Sequence, residues 1–169
     1  MHQEAAEFVA HHTHAQYRSV LEFGSRNVNG SLRDIVAADR WVGVDVKPGI
    51  GVDIVGDAAT VQVPGLFKLV VCAEVFEHAD DAMCVGMCVN AAAHLEPGGA
   101  FIATMAGPRR APHSAFDGGG LRDGEFYRNV DHALLDGRLP GAGFRSGPID
   151  ELGADVRAVA GKARAWSGF

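Results

Sequence analysis

Short apolar runs, most of them closed by a glycine or an acidic residue, alternate with stretches of helical character along most of the chain. This alternation restricts the fold more than any other feature, because a strand, a crossover and a second strand pack stably only as a right-handed unit on a parallel sheet. The strand-like runs are Ser19–Phe23, Trp41–Val46, Val52–Val55, Lys68–Cys72 and Ala100–Met105, with Phe144–Glu151 and Asp155–Gly161 reading as a final antiparallel ribbon. Helical character falls on Gln3–Ala15, Ser31–Ala38, Asp80–His94 and Asp131–Leu139. Ser31 is the expected N-cap of the second helix, with Asp34 completing a capping box, and Pro97-Gly98-Gly99 is the expected stop of the third. Lys68–Cys72 shows almost no polar alternation, as a strand covered on both faces should. The expected architecture is α/β: a doubly wound, mostly parallel seven-stranded sheet with an antiparallel edge strand.

Two irregularities stand out. Asp57–Phe67 is too short and too rich in Val, Pro and Gly for a full crossover helix, so the connection between strands 3 and 4 is expected to be trimmed. Residues 107–128 are glycine-rich without periodicity, and a loop of that length in a compact domain is usually functional. The helix Asp80–His94 is apolar nearly all round, so it is expected to lie buried against the sheet or under a partner subunit, as in a homodimer.

At 169 residues the chain is expected to form one domain, since domains average roughly 150 residues. Its 15 basic and 21 acidic residues give a net charge of −6, which makes nucleic acid a poor partner and a small molecule a better one. No apolar run approaches the ~20 residues of a membrane span, and the polar start does not read as a signal peptide. Cys72, Cys84 and Cys88 are too few for a disulfide framework and sit among apolar residues, as reduced thiols of a cytoplasmic protein would. Cys84 and Cys88 share a helix face but read as buried hydrophobes, and His2, His11, His12 and His14 read as a solvated helix face; no metal is expected.

In an open α/β sheet the ligand lies beyond the carboxyl ends of the strands, where strand order reverses. Those ends carry Glu22-Phe23-Gly24-Ser25-Arg26 after the first strand, Asp45 after the second, Asp57-Ala58 after the third and Ala73-Glu74 after the fourth. Gly24 and Asp45 stand 21 positions apart, matching the acid ~20 residues past a glycine turn that takes ribose hydroxyls. An adenosine-type ligand is therefore expected. A dinucleotide site requires Gly-x-Gly-x-x-Gly, yet Arg26 occupies the second glycine position. Glu22, two residues before the turn, would repel a pyrophosphate and attract an ammonium group.

These residues resemble the motifs of class I S-adenosylmethionine-dependent methyltransferases, in particular a small type-11-like branch with a Rossmann-like sheet. Val20-Leu21-Glu22-Phe23-Gly24-Ser25-Arg26 looks like the first motif, Gly43-Val44-Asp45 the second and Val55-Gly56-Asp57-Ala58 the third. Val71-Cys72-Ala73-Glu74-Val75-Phe76-Glu77-His78 is similar to the fourth-strand motif, and Leu95-Glu96-Pro97-Gly98-Gly99 to the turn before the fifth strand. The resemblance implies that Glu22, Phe23, Gly24, Ser25 and Arg26 surround the methionine end of S-adenosyl-L-methionine. It also implies that Asp45 takes the ribose, that Val46, Asp57 and Ala58 meet the adenine, and that Ala73 and Glu74 flank the sulfonium.

The implied activity is methyl transfer to a small-molecule acceptor bearing a hydroxyl or carboxyl. A non-catalytic S-adenosylmethionine-binding domain and an NAD(P)-dependent oxidoreductase are the alternatives. Transfer from a sulfonium needs alignment more than acid–base machinery. If the acceptor is a hydroxyl, His78 is the candidate base and His113 a second, although Glu77-His78 reads first as a cap or brace for the following helix. Arg109 and Arg110 are candidates to meet an anionic acceptor. The Asn/Asp-Pro-Pro-aromatic motif of enzymes that methylate nucleic-acid amino groups is replaced by Ala73-Glu74-Val75-Phe76. The N-terminal helix, within residues 1–17, is expected to close over the acceptor site together with the loop 107–128.

Overall fold

The computed structural model describes residues 3–13 and 16–162. Among these residues seven strands form one sheet: β1 (Tyr17–Phe23), β2 (Ala38–Asp45), β3 (Ile54–Val55), β4 (Phe67–Ala73), β5 (Leu95–Ala106), β6 (Phe144–Leu152) and β7 (Asp155–Lys162). Their order is β3-β2-β1-β4-β5-β7-β6. The first five run parallel, and β7 pairs antiparallel with both β5 and β6. From β1 the chain moves outward through β2 to β3, then jumps back to β4 on the other side of β1. The order therefore reverses between β1 and β4, and that is where the carboxyl ends leave a crevice.

Among the described residues three helices cover the sheet: α1 (Gln3–His12), α2 (Asp81–His94) and α3 (His132–Gly141). β4 shows how two cores share one strand. Phe67, Val70 and Cys72 face α2 and α3, where they meet Met87, Cys88, Ala91, Leu135 and Leu139. Leu69 and Val71 point the other way, toward Phe8 and Val9 of α1 and toward Leu32 and Val36. With both faces buried, nothing selects polar residues on either side of β4. Asp80 caps α2 by accepting from the Met83 amide at 2.8 Å, and Asp131 caps α3 by accepting from the Leu134 amide at 2.9 Å.

The expected helix over Ser31–Ala38 is not formed. Only a 3₁₀ turn, Leu32–Asp34, follows the Ser31 cap, and Ala38 already belongs to β2, paired with Tyr17. Leu32 and Val36 bury into the α1-side core, so the segment satisfies its apolar residues in a single turn and then joins the sheet. Pro97-Gly98-Gly99 does not separate a helix from a strand either. β5 begins at Leu95, directly after α2, and the Pro-Gly-Gly run lies within it as an irregularity against β4. The crossover from β3 to β4 is trimmed as expected, to one turn in which the amides of Thr60 and Val61 donate to the Asp57 carbonyl. α2 is less enclosed than its composition suggests, for Val85 and Val89 are exposed on its outer side. The three cysteines are free and buried. Ala15, the expected end of the first helix, lies outside the described residues, as do His2 and His14. Among the described residues no helix is long and apolar enough to cross a membrane.

Candidate functional site

A cleft of about 420 Å³ opens at the crevice between β1 and β4. The ends of the first four strands contribute to it: Glu22, Gly24 and Arg26 at β1, Asp45 and Val46 at β2, Asp57 and Ala58 after β3, and Ala73 and Glu74 at β4. His78 and His113 line it as well. Two expected residues stay outside. Phe23 lies on the same face of β1 as Leu21, with its ring fully buried in the α2-side core. Ser25 turns inward against Gly43, and its buried hydroxyl has no hydrogen-bond partner among the described residues.

The glycine at the opening turn is required by geometry. Gly24 has φ +76, and a Cβ there would come within 2.2 Å of Val75 Cγ2. The β1 turn and the end of β4 therefore touch, and only a residue without a side chain permits it. Beneath this contact lies Glu22, 6% exposed, whose Oε2 accepts from the Trp41 indole at 3.0 Å. Burial raises the Glu22 carboxyl to a pKa of about 7 against the smaller, opposing pull of Trp41 and Arg33. Asp45 fixes the neighbouring turns through its two oxygens, Oδ1 accepting from Lys47 N at 2.9 Å and Oδ2 from Arg26 N at 3.2 Å. Arg26 itself does not point at a ligand carboxylate: its guanidinium donates to the carbonyls of Ala115 and Phe116, both at 3.1 Å.

That bond ties the long loop over the cleft. Within the loop, Ser114 Oγ donates to Glu125 Oε1 at 2.8 Å and Arg122 N donates to Glu125 Oε2 at 2.8 Å. Ser114, Ala115, Phe116 and Phe126 form one cleft wall, opposite Met83 and Met87 of α2. The other half of the expected closure is corrected. α1 packs on the opposite face of the sheet, and none of its described residues lines the cleft. Its amphipathic pattern is satisfied there by Val20, Leu69, Val71 and Ile102. Arg109 and Arg110 are likewise engaged rather than open to an acceptor. Arg109 donates to the Gly153 carbonyl, and Arg110 bridges Asp155 and Glu74, the latter at 3.0 Å.

The adenine-side wall shows what replaces the missing crossover helix. Asn90 Nδ2, buried on α2, donates to the carbonyls of Ala58 and Val61, both at 2.9 Å. One turn later His94 Nε2 accepts from Val63 N at 3.0 Å while Nδ1 meets the Asn90 carbonyl at 2.9 Å, which assigns the ring proton to Nδ1. A polar pair spaced i, i+4 inside an otherwise apolar helix was the sequence signal for this brace.

At the far end, Glu74 adopts φ 57, outside the range most residues prefer, held by Thr104 Oγ1 at 3.2 Å and by Arg110. Glu77 lies on a 3₁₀ turn, Phe76–His78, and is fully buried. Its Oε1 accepts from Ala106 N at 3.3 Å and lies 3.8 Å from His113 Nε2, whereas Oε2 has no partner among the described residues. Burial, reinforced by the Glu74 charge, pushes the Glu77 carboxyl well above the usual range. Burial and the neighbouring His113 lower the pKa of His78, which favours its neutral form. Tyr127 completes the group, its ring 5.6 Å from that of His78 and 5.1 Å from that of His113. Glu77 and Tyr127 were missed as site residues: the first looked like a brace, and the second sat in a segment without periodicity.

No protein-family model matches the sequence, and comparison with curated proteins finds no match. Solved structures do match. The Burkholderia thailandensis 1,6-didemethyltoxoflavin-N1-methyltransferase, crystallised with 1,6-didemethyltoxoflavin and S-adenosylhomocysteine, superposes with TM-score 0.71 at 13% identity, covering 95% of this chain and 77% of that one. An S-adenosylmethionine-dependent methyltransferase from Clostridium acetobutylicum gives TM-score 0.70 at 11% identity over 96% and 93% of the two chains. The CcbJ methyltransferase of Streptomyces caelestis gives 0.66 at 21% identity over 95% and 94%. The fold is that of the class I S-adenosylmethionine-dependent methyltransferases. On this methyltransferase fold the cleft occupies the carboxyl edge of the sheet at its switch point, with the 107–131 segment across its mouth.

Proposed function

We propose that the chain is an S-adenosylmethionine-dependent methyltransferase acting on a small-molecule acceptor. The observation that carries this reading is the chemistry around the Gly24 turn. A buried carboxylate, Glu22, lies under it, and the chain beyond it runs through a lone 3₁₀ turn into β2. A pyrophosphate needs the N-terminus of a helix and no anion beside it. Here the helix end is missing and a buried carboxyl that ionises near pH 7 is present, so the turn suits an ammonium group, which favours the ionised form, and disfavours a dinucleotide. The solved methyltransferases bound to S-adenosylhomocysteine support the same cofactor for this chain.

Glu22 would bind the amino group at the methionine end, Asp45 the ribose hydroxyls, and Asp57 with the Ala58 backbone the adenine edge beside Val46. When bound, S-adenosyl-L-methionine supplies an electrophilic methyl group. The chain's own part is to align the acceptor, exclude water with the 107–131 segment, and manage the acceptor's proton. Ala73 and Glu74 border the reacting end. Beyond them Glu77, His78 and His113 form the wall against which the acceptor would rest, and His78 and His113 are the side chains placed to take a hydroxyl proton.

Calorimetric titration tests this reading. S-adenosyl-L-methionine should bind and NAD(P)H should not. Asp45→Asn should weaken the cofactor by about 10- to 100-fold, the loss of a charged hydrogen bond of roughly 1.5–3 kcal/mol. Saturable NAD(P)H binding in the same cleft, or cofactor affinity indifferent to Asp45→Asn, would overturn it. Formation of S-adenosylhomocysteine in an acceptor screen separates an enzyme from a binding domain.

A further inference from the structure

Glu77, His78 and His113 come from two segments, yet their ligand atoms all lie within 4.8 Å of one another. Oε2 of the fully buried Glu77 and the buried Nδ1 of His78 have no hydrogen-bond partner among the described residues. The rings of His78 and His113 meet edge to face, 5.1 Å between centroids at 90°.

We propose that Glu77, His78 and His113 bind one divalent transition-metal cation at the acceptor end of the cleft, with a coordination position left open for an oxygen of the acceptor. Only the second clause rests on the methyltransferase reading; the cation site stands on the three side chains. Two imidazoles and one carboxylate suit zinc, manganese, iron or cobalt better than magnesium or calcium, which prefer all-oxygen shells. Three protein ligands with an open position is the pattern of sites that bind substrate, as opposed to closed structural sites. Two ligands ~2.1 Å from one ion at a tetrahedral angle stand roughly 3.4 Å apart. Glu77 Oε1 and His113 Nε2, at 3.8 Å, need to close by only a few tenths of an ångström. Glu74, fixed by Arg110 and Thr104, adds negative charge beside the site. With the ion present the two rings serve as ligands rather than as bases. The proton of a bound hydroxyl is then lowered in pKa by the cation and leaves to solvent.

The test is a titration of the chelator-treated full chain with Co²⁺, followed by its visible absorption. To remove binding by the histidines near the N-terminus, the parent carries His2, His11, His12 and His14 all replaced by Gln. One equivalent of Co²⁺ should bind in that parent. Glu77→Gln, His78→Gln and His113→Gln should each weaken it by more than the 10- to 100-fold that loss of an outer partner alone brings. Each variant should retain its S-adenosyl-L-methionine affinity, which shows that it is folded. Acetohydroxamate, a bidentate oxygen ligand, should shift the cobalt band if a position is open. Absence of saturable Co²⁺ binding in the parent, or undiminished binding when His78 and His113 are both replaced, would overturn the site. An unchanged band with acetohydroxamate would overturn the open position. Glu22→Gln should abolish cofactor binding and leave the cobalt signal intact, so the failure of one reading is distinguishable from the failure of the other.

Discussion

Burial of the Glu22 carboxyl beneath the Gly24 turn outweighs the help it receives from Trp41 and Arg33, and its pKa rises to about 7. In the unfolded chain the same group ionises near 4.5. Between those two values the folded state holds more protons than the unfolded state, so stability falls as pH rises through the window. The ligand-free protein therefore carries a penalty of roughly 3 kcal/mol above pH 7 that vanishes below pH 4.5. Glu22→Gln keeps an acceptor for the Trp41 indole and removes the charge. Its urea midpoint should exceed that of the parent at pH 8, and the advantage should disappear below pH 4.5. An ammonium ligand reverses the balance by favouring the ionised carboxyl. Affinity for S-adenosyl-L-methionine should therefore rise with pH up to about 7 and then level off, with protons released on binding at pH 6. Calorimetry in buffers of different ionisation enthalpy checks both. Glu22 was legible in the sequence because charge position is a local property. Its raised pKa was not, because desolvation depends on Trp41 and on everything packed above the turn.

Among the elements, α2 does more than cover the sheet. Its buried Asn90 and His94 hold the segment that stands in for a crossover helix, through the carbonyls of Ala58 and Val61 and the amide of Val63. Asn90→Leu leaves one buried and one part-buried carbonyl without this donor and should cost about 1–3 kcal/mol, read from urea unfolding. The same change should weaken S-adenosyl-L-methionine, since Asp57 and Ala58 lose their support, while leaving Glu22 and its pH dependence in place. The trimmed connection was visible in the composition of Asp57–Phe67. The absence of a helix over Ser31–Ala38 was not. Its cap and apolar spacing are those of a helix, but pairing of Ala38 with Tyr17 begins the next strand before a second turn can form. Local propensity yields there to a sheet contact 21 residues away in sequence.

For the whole molecule, strand order places the cleft and the loop 107–131 closes it. Arg26, at the opening turn, holds Ala115 and Phe116, so the cofactor side and the acceptor side are joined by one side chain. A ligand that fills the cleft contacts four strand ends and the loop together, and it should stabilise the folded state as a unit. At a concentration 100 times its dissociation constant, S-adenosyl-L-methionine should add about 2.7 kcal/mol to the unfolding free energy. Thermal unfolding with and without ligand measures this, and Asp45→Asn should cut the gain to about 0.4–1.4 kcal/mol at the same concentration. Limited proteolysis should show the 107–131 segment protected in parallel.

The sequence alone determined the alternation of strand and helix, the acids and glycine at the strand ends, and hence the fold and most of the cleft. Those features are set by residue type and short-range spacing, which obey the periods of strand and helix whatever lies beyond. Tertiary structure decided the side of the sheet on which α1 packs, the inward turn of Phe23 and Ser25, the use of Arg26 and Arg110 as braces, and the meeting of Glu77, His78 and His113. Each of those depends on a contact between segments distant in the chain, and no local pattern of charge or hydrophobicity encodes which distant partner will arrive.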